Sequence, residues 1–155
     1  MNSEYILNNV KTMLENNLST MLTTLKVEAS SSITSPIPAE YNIGEYDPDI
    51  LTTFPSILIW SPTSEKITDE YGYQNRRVYI RVLSWILDND KSDLHIHLVR
   101  YVDSVLRIMR SETNWNTSLH NPVVERSDNT DLYRQETVGY AQGCLVEATI
   151  DYILS

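Results

Sequence analysis

Apolar and polar positions alternate most regularly between Arg76 and Leu87, and the period changes immediately afterwards. Val78, Ile80, Val82 and Ile86 fall on one side of an extended strand. Arg77, Tyr79 and Arg81 fall on the other side, followed by Leu83, Trp85 and Leu87. Twelve residues at a rise of about 3.3 Å give a strand of about 40 Å. Its second half is apolar on both faces, and exposing Leu83, Trp85 and Leu87 would forgo roughly 1.5–3 kcal/mol each. A chain with few elements to cover such a strand twice is expected to finish the cover with another copy of itself or with a partner.

The remaining pattern predicts one helix before this strand and one after it. Ile6, Val10, Met13, Leu14, Leu18, Met21 and Leu25 recur at three- and four-residue steps, with Ser3 or Asn2 as the cap. After the turn Asp88-Asn89-Asp90, Ser92 is the expected cap of a second helix, whose core side is Leu94, Leu98, Tyr101, Val102, Val105 and Met109. Arg100, Asp103 and Arg107 would form a solvated ion-pair row on its outer side. Residues 30–55 contain Pro36, Pro38, Pro48 and Pro55 and read as a long irregular connection. Ile57-Leu58-Ile59-Trp60 is a short strand, residues 61–75 a polar loop, and Asp69–Tyr73 a hairpin tip. Val123–Glu125 and Leu132–Thr137 are further short strands. The closing strand alternates Cys144, Val146, Ala148, Ile150, Tyr152 and Leu154 with polar residues. The order predicts a single α+β domain over residues 1–155, with one antiparallel β-sheet and two amphipathic helices packed on one face.

Composition narrows the chemistry. The net charge is −9, with −7 carried by residues 1–75 and −2 by residues 76–155. Affinity for nucleic-acid phosphate comes from Lys and Arg, so a chain this acidic is not a general nucleic-acid binder. No apolar run approaches the roughly 20 residues that cross a bilayer, and Met1-Asn2-Ser3-Glu4 has no basic start, so neither a membrane span nor a signal peptide is expected. The four glycines are scattered, which leaves no phosphate loop and no dinucleotide fingerprint. Cys144 is the lone cysteine and falls on the core side of its strand. His95 and His97, with Asp88, Asp90 and Asp93, are the one cluster that resembles a metal site. Residues two apart on a helix point about 200° apart, so no metal centre and no cofactor are expected. Arg76, Arg77 and Arg81 are the densest basic spot. With Tyr79 they could contact phosphate, or they could meet acids in a neighbouring loop or on a neighbouring subunit. No nucleophile elbow or placed carboxylate pair is present, so an enzyme is not expected.

In layout the chain resembles the tail-terminator and tail-completion proteins in the neck of tailed bacteriophages. The likeness covers the N-terminal amphipathic helix, Phe54–Ile59, the strand Tyr79–Ile86, the helix Leu94–Arg110 and the closing strand Tyr140–Leu154. It implies a non-enzymatic virion protein, assembled in the host cytoplasm, that forms a homo-oligomeric ring, commonly a hexamer. Such a ring caps the tail tube, stops its polymerisation and meets the head–tail connector or stopper, and in contractile tails the sheath as well. DNA passes through the lumen without base-specific contact, which an acidic surface suits. Under that reading Tyr79, Leu83, Trp85, Leu87 and Trp115, with loops 61–75 and 112–131, are the subunit or partner interface. The alternatives are a connector adaptor or stopper, the former mostly helical and the latter mostly β, and a non-viral α+β adaptor or ligand-binding module.

Overall fold

The computed structural model describes residues 3–44, 53–62, 64–68, 72, 74–111, 119–130, 133–135 and 139–153. Two helices, α1 (Ser3–Glu28) and α2 (Lys91–Arg110), accompany strands β1 (Glu40–Ile43), β2 (Ser56–Trp60), β3 (Ser64–Thr68), β4 (Gln74–Asp88), β5 (Leu119–Asn129), β6 (Tyr133–Gln135) and β7 (Gly139–Ile153). All the strands join one sheet with the path β1-β2-β4-β7-β5. In it β3 continues beyond β2 along β4, and β6 lies beside β7.

The centre of the sheet is the antiparallel pair β4–β7, in register from Asn75↔Ile153 to Asp88↔Tyr140. β2 and β3 pair with β4 in succession, Trp60↔Arg81 and then Ser64↔Val78, so the expected polar loop after Trp60 is partly strand. Thr68↔Gln74 closes that pair as a hairpin, as expected; residues 69–71 and 73 at its tip lie outside the described residues. The sheet is mixed and not purely antiparallel, because β1 runs parallel to β2. Twelve residues, 44–55, separate β1 from β2, and parallel neighbours need a connection of about that length. The proline-rich stretch therefore holds a strand that its composition hid.

Both helices pack on one face of the sheet. Ile6, Val10, Leu14 and Leu18 of α1 and Leu94, Leu98, Tyr101 and Val105 of α2 meet Ile57, Ile59, Val78, Ile80, Val82, Ile86, Cys144, Val146, Ala148 and Ile150 in one buried cluster. The alternation seen in β4 and β7 thus feeds one core, as the sequence predicts. α1 ends in a Schellman turn, with Ser30 N donating to Val27 O and Ser31 N to Lys26 O. Ser30 takes the left-handed conformation (φ 50°) that this turn demands. The cap of α2 is Asp90 and not Ser92: one Asp90 carboxylate oxygen accepts from Ser92 N (2.7 Å) and Asp93 N (3.1 Å). A carboxylate at the positive end of the helix dipole serves both free N–H groups at once. Gly139 (φ 117°) begins β7 where a Cβ would sit 2.5 Å from Asp88 O, so the turn admits no side chain.

Candidate functional site

The sheet face away from the helices carries the residues that the sequence singles out, and it divides into an apolar end and a charged end. At the apolar end Leu58, Leu83 and Leu145 occupy one cross-strand row and Ser56, Trp85 and Gly143 the next. Leu58, Leu83 and Trp85 form a second, smaller core, with Phe54, Trp60 and Leu145 packed against it. Trp85 is only 2% exposed and Leu83 9% within a single chain. The expectation that these two residues need another chain to cover them is therefore corrected. The segment leading into β2 brings Phe54 to the cluster, and Gly143 stands opposite Trp85. A Cβ on Gly143 would crowd Leu83 at 3.0 Å and Thr130 at 3.1 Å. Leu87 and Tyr79 are half-buried. Trp115 lies outside the described residues, and the two segments read as interface loops, 61–75 and 112–131, are corrected in their described parts, which hold the strands β3 and β5.

At the charged end the arginines meet acids of their own chain. Arg77 Nε and Nη2 donate to the two carboxylate oxygens of Asp151 at 2.8 and 3.0 Å, and Arg81 Nε donates to Glu147 at 2.9 Å. Both acids sit directly across on β7, in register. The Asp151 carboxylate holds the Arg77 guanidinium further above its ordinary pKa. Alternation places Arg76 on the opposite face, where its Nε is buried without a hydrogen-bond partner among the described residues. The three arginines therefore do not converge on one anion. Of the two partners left open by the sequence, loop or neighbouring subunit, neither is used by Arg77 or Arg81: their acids lie on the adjacent strand.

A buried polar cluster that the sequence did not reveal ties the segment after α1 to α2. His97 Nε2 lies 2.9 Å from Asp88 Oδ2 and His97 Nδ1 lies 3.0 Å from Ser35 Oγ. Arg100 donates to Ser35 Oγ (3.2 Å) and to Ile33 O, and Tyr101 Oη donates to Pro36 O. Arg100 is 6% exposed, so it leaves the solvated row expected for it. Arg107 of that row instead pairs with Glu28 of α1 at 2.9 Å. His95 is exposed while His97 is buried, the divergence that helical spacing dictates.

Serine, histidine and aspartate in hydrogen-bonded series invite comparison with a nucleophilic triad. Here the serine is 7% exposed, and its oxygen also accepts from a guanidinium. A neighbouring groove of about 590 Å³ is lined by Arg100 and Ser31 but not by Ser35 or His97. The arrangement satisfies buried polar groups and fastens residues 33–36 to α2. His97, three residues after Leu94, shares the helical phase of the core side although the sequence reading did not include it there, and nothing local pointed to Ser35, 62 residues away.

Burial raises the pKa of three groups in this layer. Tyr41 is pushed up to about 12, with the Glu15 carboxylate adding to the effect. Tyr101 is raised by burial and then by Tyr41 and Cys144. The Cys144 thiol is also pushed up to about 12, mainly by burial. Cys144 donates weakly to Ser84 O and is inert packing. No helix among the described residues is long and apolar enough to cross a membrane. Comparison with known proteins finds no matching family model and no matching curated protein.

Proposed function

We propose that this chain is a structural protein of a tailed-phage neck, a tail terminator that acts as a homo-oligomeric ring, capping the tail tube and meeting the head connector. The observation that carries the reading is the order and packing of the elements. An N-terminal helix, a hairpin ending in a 15-residue strand, a second helix and a 15-residue closing strand build one sheet with both helices on one face. That is the layout on which the resemblance rests. Within the neck proteins considered, the mixture of two long helices and an extensive sheet favours a terminator over a mostly helical adaptor or a mostly β stopper.

The burial of Trp85 removes one argument for the ring. A single subunit completes both of its cores, so a ring of such subunits joins finished domains. Arg77 and Arg81 are held by Asp151 and Glu147 and the chain as a whole stays acidic, which suits a protein past which DNA slides. The experiment is removal of the gene from the genome that encodes the chain, followed by electron microscopy of the lysate. Tails of uncontrolled length and heads without tails are expected, and expression in trans should restore joined particles. Normal particles in the absence of the protein would refute the reading.

A further inference from the structure

We infer that the outer surface of the helical layer is a self-association site, on which a second copy of this chain docks about a two-fold axis through the C-terminal half of α1. Among the described residues, Tyr5, Val27, Ile37, Ile43 and Val99 are the exposed large apolar side chains. Val99 (47% exposed) lines a groove, and Val27 (72%) stands on the neighbouring outer side of α1. That groove runs between α1 and α2 and is walled by Leu25, Ala29, Ile96 and Val99. A shallower hollow bounded by Thr20, Thr23, Thr24 and Val27 continues it across α1, and Glu28 belongs to both.

The surface of α1 here is unusual for a solvated helix. Residues 16–25 contain no charge. Thr23 and Thr24 turn their hydroxyls back onto Ser19 O (3.2 Å) and Thr20 O (3.0 Å), leaving their methyl groups outward. Threonine is a poor helix former, so helix stability alone does not account for it.

Charge selects the occupant. Two copies of a chain with net charge −9 repel unless they meet where that charge is absent or balanced. The uncharged stretch is flanked by the Lys11–Glu15 pair and the Arg107–Glu28 pair, and the groove wall adds Asp103 and His95. Both signs therefore rim one neutral patch, so it complements itself. Val27 and the groove lie side by side on one subunit, and a two-fold axis lets each copy seat its Val27 in the groove of the other. The patch is about 20 Å long and about two helix widths across, roughly 400 Å² per copy. That falls just short of the roughly 1,000 Å² total of stable interfaces, so the pairing is weak and concentration-dependent. A two-fold contact differs from the head-to-tail contacts that build a ring, so the inference does not rest on the proposed function.

Sedimentation equilibrium from about 10 μM to about 1 mM tests it. The wild-type chain should pass from monomer to dimer. The double variant Val27→Glu, Val99→Glu should associate at least about tenfold more weakly, through like-charge repulsion, with an unchanged circular dichroism spectrum. As a second measurement, Thr24→Cys should give a disulfide-linked dimer on mild oxidation, whereas Asn8→Cys, on an exposed position two turns of helix or more away, should not. A wild-type chain that stays monomeric throughout, a folded double variant that dimerises like wild type, or equal cross-linking at positions 8 and 24 overturns the inference. Whether the gene is required for joined particles is decided separately, so the two readings fail independently.

Discussion

Replacing Trp85 with alanine tests whether one subunit closes its own second core. The side chain is 2% exposed and lies on Leu58 (0%) and Leu83 (9%). An aromatic side chain of this kind buries about 150–250 Å², which at about 25 cal/mol per Å² corresponds to roughly 4–6 kcal/mol. Measured tryptophan-to-alanine losses in cores run at about 3–5 kcal/mol. The position facing Trp85 across β4–β7 is Gly143, which has no side chain to move into the hole, so relaxation is limited. A loss of about 3–5 kcal/mol is expected, a large part of the usual total of about 5–15 kcal/mol. Urea unfolding followed by far-ultraviolet circular dichroism, at low micromolar protein and again at a several-fold lower concentration, is the assay. The wild-type midpoint should be the same at both concentrations, and the variant should lose stability equally at both. A loss below about 1 kcal/mol would refute the reasoning. So would a wild-type midpoint that rises with concentration and a variant whose midpoint does not, because that pattern places the cover of Trp85 in another copy.

The buried polar cluster gives a second prediction. His97→Ala leaves Ser35 Oγ and the partly exposed Asp88 carboxylate without their shared partner and should cost about 2–4 kcal/mol, with faster hydrogen exchange in residues 33–36. Unchanged exchange there would contradict the tethering role. Ser30→Gly relieves a left-handed serine at the end of α1 and should stabilise by about 0.5–1 kcal/mol in urea unfolding. Asp151→Asn breaks the pair with Arg77, whose partners are about a third exposed, and should cost at most about 1 kcal/mol. Cys144 titrates near pH 9.0 when free and near 12 when folded, so the unfolded chain loses its proton first. Its contribution is therefore present below pH 9 and shrinks as pH rises toward 12. A denaturation series over that window should show stability falling with pH, and Cys144→Ala should remove the part that sets in near pH 9 while leaving the later part that the buried Tyr41 and Tyr101 contribute.

The parts of the fold that follow from local periodicity were legible. β4, β7 and α2 each carry a periodic apolar series, broken in β4 only by Ser84, and Val78, Ile80, Val82, Ile86, Cys144, Val146, Ala148, Ile150, Leu94, Leu98, Tyr101, Val105 and Met109 of those series meet in the main core. β1 was not legible, because Glu40–Ile43 is only four residues long in a stretch broken by proline, and it is held as a strand by the pairing Tyr41↔Ile57 and its neighbours. The same is true of β3, whose Ser64–Thr68 becomes a strand only by lying along β4. Trp85 was legible as a buried residue but not as one buried by its own chain. Its cover includes Phe54 and Leu58, which arrive from a part of the sequence broken by proline. Arg100 follows the helical repeat of the solvent side, yet it turns inward because unpaired carbonyl and hydroxyl groups of residues 33–35 lie within reach. The partners of Arg77 and Arg81 depend on the β4–β7 register, which no local pattern specifies.

The reading of this chain as a ring at the end of a tail tube is tested most directly by locating it in the assembled particle. Cryo-electron microscopy of particles carrying an affinity label on the protein should show the label as a closed ring at the head-proximal end of the tail tube. A label found elsewhere on the particle, or a folded protein missing from purified particles that are otherwise complete, would contradict it.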